Sequence, residues 1–218
     1  ITPQSGAVPV AASLEELAIH ADVLIDFSSP AATQNALRWC EKNGLPSVVC
    51  TTGLDQETND LIRTVSRSVA VFKSANMSLG INLLAQLAQK AAAALGPGYD
   101  IEIIEKHHHN KVDAPSGTAL LLADEINRVA AEPYEYVYDR HTVRQPRGKR
   151  ELGLHSVRGG SIVGDHEILF CGPDEVITLS HSAGSRTVFA NGAVNAAVFL
   201  AGKAPGLYTM KDLMNELL

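Results

Sequence analysis

Apolar positions along the chain follow two rhythms. Short runs of consecutive apolar, often β-branched residues occur at 22–27, 46–50 and 69–73, and predict strands buried on both faces. Between them, residues 31–43 and 57–67 have the spacing of helices. Ser28-Ser29-Pro30 opens the first helix and Gly44 closes it. Strand and helix in alternation predict a parallel, doubly wound sheet with right-handed crossovers. Ahead of these, residues 14–19 read as a short helix, with Ser13 as N-cap and Glu16 completing a capping box.

Residues 79–95 then predict a long Ala/Leu/Gln helix, ended by Gly96-Pro97-Gly98. A β-branched stretch at 100–105 predicts a strand, and 119–131 a helix. Residues 134–150 are polar and carry Arg140, Arg144, Arg147, Lys149 and Arg150; they read as a strand plus a mobile loop. From 152 to 190 the rhythm shortens to β runs at 154–157, 162–165, 166–171, 176–182 and 187–189. Their tight turns predict a mostly antiparallel sheet. Residues 192–200 predict a helix, 202–207 a loop, and 211–218 a last helix.

Composition narrows the function. The 218 residues are 45% hydrophobic and 19% charged, which is globular rather than disordered. A net charge of −6 argues against nucleic acid or an anionic membrane as partner. No apolar run has the length of a membrane span. Cys40, Cys50 and Cys171 are widely spaced and match no metal pattern, which fits a reduced, cytoplasmic protein. The sequence opens without Met in what reads as a loop, so it is expected to begin partway into a longer protein.

The densest chemistry lies at 107–119, between the 100–105 strand and the next helix. His107-His108-His109-Asn110-Lys111 puts four basic side chains in five positions, and Pro115-Ser116-Gly117-Thr118 follows. Three adjacent histidines on an irregular segment converge poorly on one tetrahedral ion, so no metal is expected. A solvated polar loop is the plain alternative. An anion site with acid–base capacity explains more. Histidine titrates near neutrality, Lys111 brings positive charge, and Ser116 is a fitting N-cap. Behind that cap, free amides and a glycine without a Cβ suit a carboxylate or phosphate. Arg186 can grip a second carboxylate. His155, His166 and His181 read as surface or core residues, and Asp113 as a loop-orienting one. Asp22 and Asp26 flank a strand without a nameable partner. Thr51-Thr52-Gly53 and Ser74-Ala75-Asn76-Met77 each follow a buried strand. Both can be ligand loops or ordinary turns.

Glu105-Lys106-His107-His108 together with Lys111-Val112-Asp113-Ala114-Pro115-Ser116-Gly117-Thr118-Ala119 resembles the signature of the 4-hydroxy-tetrahydrodipicolinate (dihydrodipicolinate) reductase family of lysine biosynthesis. Asp26-Phe27-Ser28, Thr51-Thr52-Gly53, Ala75-Asn76-Met77-Ser78, Arg158-Gly159-Gly160, Gly164-Asp165-His166 and Phe189-Ala190-Asn191-Gly192-Ala193 add to the resemblance. It implies an α/β fold: a Rossmann-type dinucleotide-binding domain (1–78 plus 188–218) and an α+β substrate-binding and tetramerisation domain (79–187) with an open mixed sheet. It implies reduction of 4-hydroxy-tetrahydrodipicolinate by NADPH or NADH, in a cytoplasmic homotetramer. By resemblance, His107 is proton donor and acceptor and Lys111 is proton donor. His108, Gly117 and Thr118 bind the dicarboxylate substrate, beside Arg186. Cys50, Thr51, Thr52, Ser74, Ala75, Asn76 and Met77 contact the cofactor. Cys50 stands where the family usually has Gly. The family's opening Gly-rich phosphate loop is not found in this sequence, which motivates an alternative: a ligand-binding module that keeps the substrate pocket without nicotinamide activity.

Overall fold

The computed structural model describes residues 9–17 and 20–217. The chain forms two compact units. Unit 1 comprises Ile1–Ala75 and Ala193–Leu218, and unit 2 comprises Asn76–Gly192.

Unit 1 is built on a parallel four-stranded sheet. Strands β1 (Leu24–Asp26), β2 (Ser47–Val49), β3 (Ala70–Lys73) and β9 (Gly206–Tyr208) lie side by side in that order. Ile25 pairs with Val48, Val48 with Phe72, and Val71 with Leu207. Helix α1 (Pro30–Asn43) connects β1 to β2; Pro30 occupies its first turn and Gly44 ends it at φ 63. Helix α2 (Gln56–Val65) connects β2 to β3, and the Asp55 side chain caps it by accepting from the Thr58 amide at 2.8 Å. Leu37, Ile62 and Val65 from these helices bury against Val49 and Val71. Helix α6 (Met210–Leu217) closes the unit.

Two expectations change here. The expected loop at 202–207 ends early: Gly206 and Leu207 join Tyr208 in edge strand β9. Pairing with β3 and packing of the Tyr208 ring on Phe199, centroids 5.8 Å apart, override the local signal. The expected helix at 14–19 is a turn over its described part, closed by the Leu17 amide on the Leu14 carbonyl. Glu16 accepts from the Ala12 amide instead of capping. Residues 18 and 19 lie outside the described residues.

Unit 2 is built on a five-stranded mixed sheet in the order β5 (Glu135–Val137), β6 (Glu151–Arg158), β4 (Asp100–His107), β7 (Asp165–Cys171), β8 (Val176–Ser182). The β5–β6 and β6–β4 pairings are parallel; β4–β7 and β7–β8 are antiparallel. The sheet is therefore mixed rather than mostly antiparallel. Helix α4 (Gly117–Asn127) lies in the connection after β4 and supplies the crossover that parallel pairing needs. Helix α3 (Leu79–Leu95) and α4 cover one face. Leu84, Ala88, Leu122 and Ile126 pack on Ile101, Ile103, Leu152, Leu154, Ile168 and Phe170, all at most 4% exposed.

Other boundaries move for local reasons. Helix α4 starts at Gly117 because Ser116 caps it. It stops at Asn127, whose side-chain amide bonds both the Tyr134 carbonyl and its amide. Residues 162–164 are not strand; β7 starts at Asp165. Thr187-Val188-Phe189 is not a β run but the first turn of helix α5 (Thr187–Leu200), directly after Arg186. The Ala-rich continuation outweighs three β-favouring residues. The loop at 138–150 is tied down. Arg147 donates to Asp100 at 2.7 Å and to Glu102 at 3.0 Å, and Arg140 donates to Glu102 at 2.9 Å.

Candidate active site

Alternation along β4 puts Ile101, Ile103, Glu105 and His107 on the covered face. The first two feed the core. The third is a carboxylate in a fully buried position, and such a group needs partners. Arg158, opposite His107 on β6, grips it with both arms: Nη2 to Oε1 at 2.7 Å and Nη1 to Oε2 at 2.8 Å. Oε1 also accepts from the Ser116 amide at 3.2 Å, and Oε2 meets His107 Nδ1 at 2.6 Å. Burial alone would raise the Glu105 carboxyl. The hydrogen bonds from Arg158, Ser156 and His107 overcome it and hold the group down at about 2.

His107 is 8% exposed and stands edge-on to His166 of β7, with centroids 5.2 Å apart. His166 Nε2 lies 3.1 Å from Ser116 Oγ, which in turn accepts from the Ala119 amide at 3.1 Å. Burial, and then the neighbouring His107, push His166 down to about 4, so it is neutral at pH 7. Ser116 thus caps α4 as expected. The amides of Gly117 and Thr118 are the first two of the helix and have no acceptor within it. Space above Gly117 is open: a Cβ there would meet no atom within 4 Å. The Thr118 hydroxyl accepts from Asn76 Nδ2 at 3.0 Å, so Asn76 sits at this helix start.

Lys111 pairs with Asp113 at 2.7 Å, the loop-orienting role read for Asp113. His108 is lowered first by burial, then by the charges of Arg186, His107 and Lys111. His109 is exposed, its amide bonded to the Gly160 carbonyl. Among the described residues no group of three or more His, Cys, Asp or Glu is arranged to hold a metal ion.

In unit 1, Cys50 and Thr51 are buried and Thr52 is exposed at the end of β2. The Cys50 thiol is pushed up to about 12, first by burial and then by the Asp26 charge. The Thr51 hydroxyl donates to Asp26 Oδ2 at 2.9 Å and accepts from the Ser28 amide at 3.0 Å. Gly53 at φ 69 completes the turn. Ser74 and Ala75 follow β3; Met77 is buried, and a Cβ on Gly192 would come within 1.7 Å of its carbonyl oxygen.

Sequence reasoning missed Asp26. It accepts from Thr33 Oγ1 at 2.5 Å, from Thr51, and from the Ser28 amide and hydroxyl. It also gave no role to Glu105, Arg158 or His166. Glu105 had a readable signal: an acid in phase with Ile101 and Ile103.

The dihydrodipicolinate reductase C-terminus model matches residues 80–214, and the N-terminus model matches residues 2–77. The chain belongs to the dihydrodipicolinate reductase family. It is 52% identical over 208 residues to the 4-hydroxy-tetrahydrodipicolinate reductase of Caldanaerobacter subterraneus subsp. tengcongensis, covering 95% of this chain and 82% of that one. With the Clostridium tetani reductase it shares 46% over 208 residues, covering 95% and 81%. Among solved structures, dipicolinate-bound dihydrodipicolinate reductase from Paenisporosarcina sp. TG-14 superposes with a TM-score of 0.78 at 29% identity, covering 96% and 80%. Membership accounts for the α/β architecture and the Rossmann-like unit 1. Among the described residues, no helix is long and apolar enough to cross a membrane.

Proposed function

We propose that this chain reduces 4-hydroxy-tetrahydrodipicolinate to tetrahydrodipicolinate with loss of water, in the diaminopimelate route to lysine, using NADPH or NADH. The observation that carries the reading is the capped start of α4 standing in one unit with His107 and Lys111. Two free amides and the helix dipole suit one carboxylate of the substrate. The Thr118 hydroxyl lies beside them; Arg186 adds positive charge, and His108 a neutral ring able to donate one hydrogen bond, for the second carboxylate. His107 takes up and releases the proton as water leaves. The Lys111 ammonium, steadied by Asp113, gives the proton that balances the hydride.

Unit 1 suits a nicotinamide dinucleotide. Its parallel sheet ends in the Cys50–Thr52 turn and in Ser74-Ala75, with Asn76 and Met77 next in the chain. The Cys50 amide is bonded to the Asp26 carbonyl, so the amides of Thr51 and Thr52 are the ones offered to the ligand. When bound, the cofactor supplies the hydride. In this reading unit 1 is the dinucleotide domain and unit 2 the substrate domain. The sheet face away from α3 and α4 carries half-buried Glu102, Ile104, Leu169 and Cys171, a surface suited to a cytoplasmic homotetramer.

The test is oxidation of NADPH or NADH by the full-length protein with 4-hydroxy-tetrahydrodipicolinate; no oxidation of either overturns the reading. Lys111→Ala is expected to lower kcat about 10²- to 10⁴-fold with cofactor affinity unchanged. Unchanged turnover would remove Lys111 as donor.

A further inference from the structure

The structure assigns Glu105, locked by Arg158, as the residue that positions His107 for proton transfer and ties that position to the start of α4. The assignment rests on the reading of His107 as a proton carrier. It begins with the ring. A carboxylate held far below neutrality only accepts hydrogen bonds, so the 2.6 Å contact requires a proton on His107 Nδ1. The nitrogen left to exchange a proton is Nε2, which has no hydrogen-bond partner among the described residues. Gly164 leaves room beside it: a Cβ there would stand 3.0 Å from Nε2.

The carboxylate itself cannot turn. The two-armed grip of Arg158 fixes its plane. The same guanidinium donates to the Asp113 carbonyl at 2.6 Å, so the loop bearing Lys111 is held by the same group. Oε1 then accepts the Ser116 amide, the residue that caps α4. One buried anion therefore sets the tautomer of the ring and its distance from the anion-binding amides. Around the ring stand Arg158 from β6, His166 from β7 and His108 from the loop. Of the acids near them, Asp113 pairs with Lys111 and Asp165 accepts from the Ser182 hydroxyl, so the imidazolium that forms in turnover leans on Glu105, the carboxylate that touches it.

Two measurements on the full-length protein decide it. ¹⁵N NMR of histidine-labelled protein, with the resonance assigned by its loss in His107→Ala, is expected to show His107 as the Nδ1–H tautomer. Its Nδ1 proton should be shifted downfield, and that signature should vanish in Glu105→Gln. Kinetically, Glu105→Gln is expected to lower kcat about 10²-fold while the Kd for NADPH holds. Arg158→Lys keeps the charge but loses the fork, and should lower kcat about tenfold. An Nε2–H tautomer in the unmutated protein overturns the assignment, and that reading needs no variant to fold. So does wild-type kcat in Glu105→Gln when His107→Ala is impaired. Full activity in His107→Ala would remove His107 from proton transfer, and the assignment with it.

Discussion

Asp26 ends β1 in unit 1, and Glu105 lies two residues before the end of β4 in unit 2. Both are buried carboxylates that gather the loops leaving their sheets. Asp26 does so with hydroxyls and one amide from Ser28, Thr33 and Thr51. Among the described residues no Lys, Arg or His pairs with it. Its charge still reaches the neighbouring thiols: Cys40 and Cys50 are pushed up to about 12, with burial the larger cause. Glu105 instead takes a guanidinium, an imidazole and an amide. Neutral donors shape a backbone turn. A cation and a titratable ring, in contrast, fix where a proton sits. The two units thus build one kind of knot from different partners: neutral donors in one, a cation and a titratable ring in the other.

Breaking the knots should separate them. Glu105→Ala leaves the Arg158 guanidinium without its anion and should cost about 3–5 kcal/mol. The single tryptophan, Trp39 of α1, reports unit 1. In urea, the loss should therefore appear in far-UV circular dichroism before Trp39 fluorescence changes. Coincident wild-type-like transitions would show that the knot contributes little.

Acid should strain unit 2 in the same way. His166 is held near 4 against an ordinary 6.5, so the fold favours its neutral form. That stabilisation is present above pH 6.5 and is lost as pH falls toward 4. Glu105, held near 2 against 4.5, loses its contribution between pH 4.5 and 2. Both act in one direction. Going from pH 7 to pH 4 should cost about 3 kcal/mol, mostly through His166. Urea midpoints at the two pH values check this, and His166→Gln should flatten the dependence.

Asp26→Asn is the mildest cut. It keeps the size of the side chain and removes part of its accepting capacity, at about 1–2 kcal/mol. Trp39 fluorescence should detect it. NADPH affinity should weaken severalfold with substrate KM unchanged; the opposite pattern would detach Asp26 from the cofactor loop.

The sequence showed most of the architecture, because βαβ rhythm, Gly44 and the Ser116 cap are local signals. It also showed the cluster at 107–119. It misread what depends on distant partners. Residues 206–208 became strand only by pairing with β3, and 187–189 became helix through the run that follows. The parallel pairing of β4 with β6 had no local mark. The same holds for the site: His107 and Lys111 are legible in their own stretch, whereas Arg158 and His166 join it through sheet register alone.

Strand β4 lies in the middle of its sheet, where Ile101 meets Leu152 on one side and Phe170 on the other. During synthesis the signature stretch therefore leaves the ribosome well before the strands that flank it. Until β6 and β7 arrive, Glu105 has no guanidinium to hold it and the apolar face of α4 has no complete sheet to cover. Such non-local pairing is slow and leaves sticky surface waiting. A nascent chain carries the whole signature before its buried carboxylate has a cation to hold it, which only β6 brings.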